Sequence, residues 1–140
     1  FDIYMPDMKY SDAQNARRLS GIDDYPQMNR AAVKEMHRQV GDLQVDDSGV
    51  ATRGLLVRHL VLPDGLAGTA EVCSFLSQEV STNTYLNVMD QYHPCYRAYD
   101  VLKLARSISR KEFVEAIEIA RGCGLHRLDR IEPRPFAGVL

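Results

Sequence analysis

The chain has 140 residues, 45% of them hydrophobic and 26% charged, a balance that supports one buried core and excludes a disordered chain. Its 17 basic and 19 acidic residues leave a formal net charge of -2, which excludes a general polyanion binder, so no nucleic-acid partner is expected. No apolar run approaches the ~20 residues of a membrane helix, so no membrane partner is expected either.

The first ten residues, from Phe1 to Tyr10, read as a strand. Alternation puts Asp7 and Lys9 on the face of Ile3 and Met5; if that face meets a core, the two charges emerge side by side at the strand's C-terminal mouth. That mouth is where parallel α/β folds and barrels carry their chemistry. An ion pair rimming the sheet is the plainer reading of the same residues. Phe1 is not an initiator methionine and the strand pattern is already running there, so the expectation is a chain cut from something longer.

Ser11-Asp12-Ala13-Gln14 has the S-x-x-Q form of a helix-start capping box, and Gly21 ends the short helix that follows. Tyr25-Pro26 opens a longer helix, because proline is harmless in a first turn. Met28, Ala32, Met36 and Val40 recur at helical spacing and are expected to face the sheet, with Arg30, Lys34, Glu35 and Arg38 solvated and Gly41 at the end. A small hairpin turns at Asp46-Asp47-Ser48-Gly49 and leads into the near-continuous apolar run Gly54 to Leu62, the mark of a parallel strand covered on both faces. After a turn-rich loop, Pro63 to Gly68, a helix is predicted from about Thr69 to Val80.

Thr84 to Met89 is a third strand. Ser109-Arg110-Lys111-Glu112 is a second capping box, and its helix buries Phe113, Ile117 and Ala120. Leu125 to Ile131 is a fourth, weaker strand, and Pro133 and Pro135 mark a tail. Strands alternating with helices imply βαβ units and a mostly parallel sheet. The domain is expected over 1–132 and the tail over 133–140. A closed eight-stranded barrel needs ~250 residues, so the fold class is α/β, at most part of a barrel, with a small hairpin insertion.

Several side chains collect at the strand ends. Arg58 shares a face with Leu60 and Leu62; there it either pairs with a carboxylate of the sheet or reaches a ligand carboxylate or phosphate. The Gly65 to Gly68 loop precedes a helix N-terminus, which favours anions, but it matches no phosphate motif and reads better as an ordinary turn. His93 is open to three roles: general base, donor to a ligand, or loop histidine. His37 and His59 read as packing or surface residues. Cys73, Cys95 and Cys123 are scattered, which suits reduced thiols in a cytoplasmic protein better than disulfides or a metal site within the chain.

Three stretches occur together and in order: Asp7-Met8-Lys9-Tyr10 after an apolar strand, Val57 to Gly65, and Met89-Asp90-Gln91-Tyr92-His93-Pro94. Over Asp2 to about Leu128 the chain resembles the C-terminal half of radical S-adenosylmethionine proteins similar to pyruvate formate-lyase activating enzyme. The resemblance implies the C-terminal portion of a partial (β/α)6 TIM-like barrel. It implies S-adenosylmethionine as a bound cofactor, with Asp7 and Lys9 matching a D-x-K that contacts it. Arg58 matches a strand arginine facing that ligand, and His93 a histidine near the adenosine. It further implies a [4Fe–4S] cluster held by a CxxxCxxC loop, which this chain lacks and a missing N-terminal part would carry. An electron donor and a glycyl radical enzyme as protein substrate are the implied partners, and this chain alone is expected to be inactive. Two other readings need no missing half. One is an aldolase-like barrel fragment with Lys9 as Schiff base and Asp7 as proton shuttle; the other is a non-catalytic module binding an anion or a partner. An open sheet edge at the first strand is expected to promote a homodimer.

Overall fold

The computed structural model describes residues 2–129 and 131–133. In chain order its elements are β1 (Ile3–Tyr4), α1 (Ala13–Ser20), α2 (Tyr25–Val40), β2 (Gln44–Val45), β3 (Ala51–Leu60), α3 (Thr69–Phe75), β4 (Tyr85–Met89) and α4 (Arg110–Gly122). A wide π turn, Leu76–Val80, prolongs α3, and short 3-10 turns lie at Pro63–Gly65, Tyr96–Asp100 and Leu102–Leu104. The architecture is α/β with an open, mostly parallel sheet.

β3 is the spine. It pairs with β1 and β4 in parallel and with β2 antiparallel, the last forming the small hairpin. β1 is shorter as a regular strand than the first ten residues predict. Its pairing nevertheless continues past Pro6, since the Asp7–Arg58 bridge keeps the register of the Ile3–Gly54 pair. Leu125 to Ile131 does not form a strand among the described residues. Only Leu128 bridges to Leu86, through the Leu86 N–H to the Arg127 carbonyl and the Asp129 N–H to the Leu86 carbonyl. Of the tail, Pro133 alone is described.

Helices cover one face of this sheet. Leu55, Val57, Leu86 and Val88 point into a core with Val33, Val72, Phe75, Leu76, Phe113 and Ile117. The alternate residues, Leu56, Arg58, Leu60, Tyr85, Asn87 and Met89, remain only partly buried. That distribution reverses two expectations. The first strand turns Tyr4 and Met8 toward the core, whereas Ile3 and Met5 are 40% and 55% exposed. The other face of β3 is covered at its carboxyl end alone, where Leu60 packs into a second cluster with Leu62, Leu66, Ala67, Leu104 and Leu19 of α1.

Helix boundaries follow local chemistry. The N-cap of α1 is Asp12 and not Ser11: its carboxylate accepts the Asn15 N–H at 2.8 Å, while the Ser11 N–H goes to the Ala67 carbonyl. Gly21 closes α1 in the left-handed conformation. Pro26 sits in the first turn of α2 as predicted. The buried stripe of α2 is rotated from the predicted one: Val33 and Val40 are buried, Met36 partly so, while Met28 is 59% exposed and Ala32 is exposed too. Nor is the charged face purely solvated, since Arg30 and Lys34 lie 5.4 and 5.8 Å from the Phe75 ring centre. The second capping box is present in full: Ser109 Oγ accepts the Glu112 N–H, and Glu112 accepts the Ser109 N–H.

Gly54 is where the β2 arm crosses β3. With φ at 113°, it leaves a side chain no room, because a Cβ would overlap the Asp42 carbonyl and the Leu43 Cα. Gly54→Ala is expected to destabilise the protein by about 3 kcal/mol or more. Gly21→Ala, strained but facing open space, is expected to cost about 1 kcal/mol. Urea unfolding of the two variants checks the contrast, and equal losses would contradict it.

Candidate functional site

Met8 organises the carboxyl end of the sheet. Its side chain is 2% exposed, its N–H donates to the Arg58 carbonyl at 2.8 Å, and the Arg58 N–H donates to the Pro6 carbonyl at 2.9 Å. Its own carbonyl accepts from His59 Nδ1 at 2.7 Å. A carbonyl can only accept, so Nδ1 carries the proton, and Nε2 accepts the Thr69 hydroxyl at 2.9 Å. His59 is fully buried, and desolvation pushes its pKa below the ordinary value and holds the ring neutral. It is thus a structural tie between β1, β3 and the start of α3.

With Met8 turned inward, Asp7 and Lys9 turn out. Asp7 Oδ1 accepts from Arg58 Nε at 2.7 Å, and both side chains are about one-third exposed, at 31% and 38%. Arg58 stands in register with Asn87 on β4, so Asp7, Arg58 and Asn87 form a polar row across three parallel strands. Leu56 and Tyr85 are paired below this row, and Leu60 and Met89 above it. The terminal nitrogens of Arg58 and the Lys9 ammonium make no hydrogen bond with the described residues.

His93 makes no hydrogen bond or ion pair with Asp7, Lys9, Arg58 or Asn87 among the described residues. It is exposed on the loop after β4, and its Nδ1 lies 3.1 Å from the Gln91 carbonyl. Asp64 is also drawn elsewhere. Arg106 binds Asp64 at 3.0 Å and Glu112 at 2.8 Å, which seals the loop after β3 against α4. The Arg106 guanidinium holds the Glu112 carboxyl far below its ordinary range. A cavity of about 470 Å³ beside this loop is lined by Asp64, Glu71, Glu112 and Glu115, so the loop is a poor anion cradle despite its helix N-terminus. Cys73 is buried, and burial pushes its thiol up to about 12, whereas Cys95 is exposed.

Three members of the site gave no sequence signal of their own. Asn87 lies inside an apolar strand, and its spacing from Tyr85 and Met89 could have marked it as sharing their face. Tyr25 and Asn29, one helical turn apart on α2, reach the backbone of the Asp7–Lys9 segment.

The site divides into a tie and a display, which respond differently to change. In the unfolded chain His59 protonates near 6.5, in the fold at lower pH. Its contribution to stability is complete above pH 6.5 and declines as pH falls below that value, by up to about 1.4 kcal/mol per pH unit. His59→Asn should remove that part of the slope in chemical-denaturation series between pH 5 and 7. Asp7→Asn, in a partly exposed pair, should cost no more than about 1 kcal/mol in the same assay at pH 7. A loss several times larger would make the pair a structural staple.

No family model matches the chain, and no solved structure matches it. Among curated proteins, it is similar to the uncharacterized protein MJ0674 of Methanocaldococcus jannaschii. The two are 29% identical over 120 residues, which cover 85% of this chain and 31% of that protein. The chain thus spans about a third of the length of the curated relative it matches.

Proposed function

We propose that this chain supplies part of the S-adenosylmethionine pocket of a radical S-adenosylmethionine enzyme similar to pyruvate formate-lyase activating enzyme. The sheet would be the C-terminal portion of a partial (β/α)6 barrel, with its half-exposed face turned inward. One observation carries the reading: the Asp7–Arg58 pair and Lys9 stand at the carboxyl ends of adjacent parallel strands, on the face opposite the main core.

The residues suit an amphipathic, multiply charged ligand. Arg58, anchored through Nε, has its terminal nitrogens left for a carboxylate or for ribose oxygens. Lys9 adds a second cation within two residues of Asp7. Asp7 orients Arg58 and offsets excess positive charge, which matters for a ligand bearing a sulfonium. Leu60 and Met89 provide apolar surface beside them. S-adenosylmethionine, when bound and reduced, supplies a 5′-deoxyadenosyl radical; the chain's own part is to hold and orient that ligand. His93, exposed on the loop after β4, is the less anchored member of the set, so the reading rests chiefly on the other three residues.

The [4Fe–4S] cluster does not fit the residues present. Among the described residues no three His, Cys, Asp or Glu side chains cluster as a metal site, and all three cysteines are free thiols. The reading therefore requires cluster ligands, and with them the redox chemistry, on polypeptide outside residues 1–140. An electron donor and a glycyl radical enzyme, or another protein substrate, belong to the same proposal, as do a cytoplasmic setting and self-association through the outer edge of β1. The Schiff-base alternative is less supported, because Lys9 is exposed and lacks the burial that activates such lysines.

Two measurements test the proposal. The reading frame upstream of Phe1 should encode three closely spaced cysteines, and a frame without them overturns the iron–sulfur part. In the protein translated from that frame, Lys9→Ala and Arg58→Gln should each weaken S-adenosylmethionine binding tenfold or more, about 1.4 kcal/mol. Unchanged affinity in both variants would overturn the site. Borohydride trapping of a carbonyl substrate on Lys9 would establish the aldolase reading instead.

A further inference from the structure

The segment that displays Asp7 and Lys9 is gripped along both edges. On the inner edge, the Met8 N–H reaches the Arg58 carbonyl, as in any parallel ladder. On the outer edge, a second strand would ordinarily take the Asp7 carbonyl and the Lys9 N–H. Here one phenol takes both. The Tyr25 hydroxyl accepts the Lys9 N–H at 3.0 Å and donates to the Asp7 carbonyl at 3.3 Å, and Asn29 Nδ2 donates to that same carbonyl at 2.9 Å.

Tyr25 is suited to this work. It opens α2, where Pro26 stiffens the first turn, so its Cα is held by a preorganised backbone. Its ring is clamped edge-on by Tyr10, with centroids 5.7 Å apart at 77°. Burial, and more weakly the Asp7 charge, raise its pKa and keep the hydroxyl protonated and able to donate. Asn29 follows four residues later, on the same side of the helix.

We propose that Tyr25 is the positioning residue of the site: by bridging the Asp7 carbonyl and the Lys9 amide across Met8, its hydroxyl fixes the direction in which Asp7 and Lys9 meet their ligand. The functional half of this inference rests on the S-adenosylmethionine reading above. The structural half does not. A corollary is that the outer edge of β1 is closed at Asp7 to Lys9, so any strand adding there must pair lower, around Ile3 to Met5.

Tyr25→Phe removes one oxygen and keeps the ring. Amide exchange by NMR should show the Lys9 N–H exchanging at least tenfold faster, while the Met8 N–H, bonded to Arg58, keeps its protection and reports an intact fold. S-adenosylmethionine affinity in the cluster-bearing protein should fall fivefold or more. Tyr10→Phe, which loses only a hydroxyl bonded to Ser20, should change neither quantity. Unaltered Lys9 exchange in Tyr25→Phe overturns the inference whatever the ligand does. So does unaltered affinity in Tyr25→Phe when the unmutated protein binds. If the unmutated protein binds no S-adenosylmethionine but the Lys9 amide is still released, the proposed function falls and the positioning role stands.

Discussion

The burial of one side chain, Met8, sets the arrangement of everything at the sheet's carboxyl end. Fully burying a methionine is worth about 2 kcal/mol, while burying an unpaired carboxylate or ammonium costs far more. On an extended chain the alternation leaves two choices: Met8 inside with Asp7 and Lys9 outside, or the reverse. The magnitudes decide it. Once Met8 points inward, its peptide group lies where Arg58 and His59 of the central strand can take both its N–H and its carbonyl. The displayed charges are thus a consequence of a packing decision made one residue away.

His59 shows why a buried imidazole is tolerated here. Its two nitrogens meet one obligate acceptor and one hydroxyl, so neither is left unsatisfied, and desolvation favours the neutral form that this pairing requires. The opposite face has a different economy. Arg58 is partly exposed and paired with Asp7, which keeps a guanidinium affordable on a strand otherwise made of Leu56 and Leu60. Beyond it, at the carboxyl end of the same face, Leu60 is covered by a second cluster with Leu62, Leu66, Ala67 and Leu104.

Much of this was legible in the residues. The Tyr25-Pro26 start, the Gly21 and Gly41 stops, the Ser109–Glu112 box and the β3 and β4 runs depend on local chemistry, and they formed where the chain places them. The misreadings arose where two patterns competed. Helix α2 carries both a Met28–Ala32–Met36–Val40 stripe and an Asn29–Val33–Met36–Val40 stripe, and the second is the one turned inward, with Val33 buried and Asn29 at the Asp7 carbonyl. Ser11 and Asp12 both suit an N-cap, and the Ser11 N–H is committed to Ala67. Ile3 and Met5 looked like core because they are apolar, yet Tyr4 and Met8, on the other face, are the residues with a helix layer to meet. The roles of Tyr25, Asn29 and His59 could not be read at all, since each depends on a backbone group brought close by the fold.

The charges around the mouth are segregated, and that segregation bears on which ligand the site can take. On the sheet face stand Lys9 and Arg58, the latter paired with Asp7. On the helix side the Asp64, Glu71, Glu112 and Glu115 carboxylates line a cavity, and Arg106 is already shared between Asp64 and Glu112. Asp64 holds a left-handed backbone, φ 56°, where its N–H donates to Glu112 and its carboxylate meets Arg106, so the acidic side is a braced structure. An anionic group approaching the α3 N-terminus therefore meets carboxylates before it meets backbone N–H groups. Within a Debye length of about 8 Å such repulsion is only partly screened. The same anion finds unspent donors on Arg58 and Lys9, and a cationic group on the same ligand finds Asp7. Under the proposed reading, this segregation would place a ligand carrying both signs of charge on the sheet face.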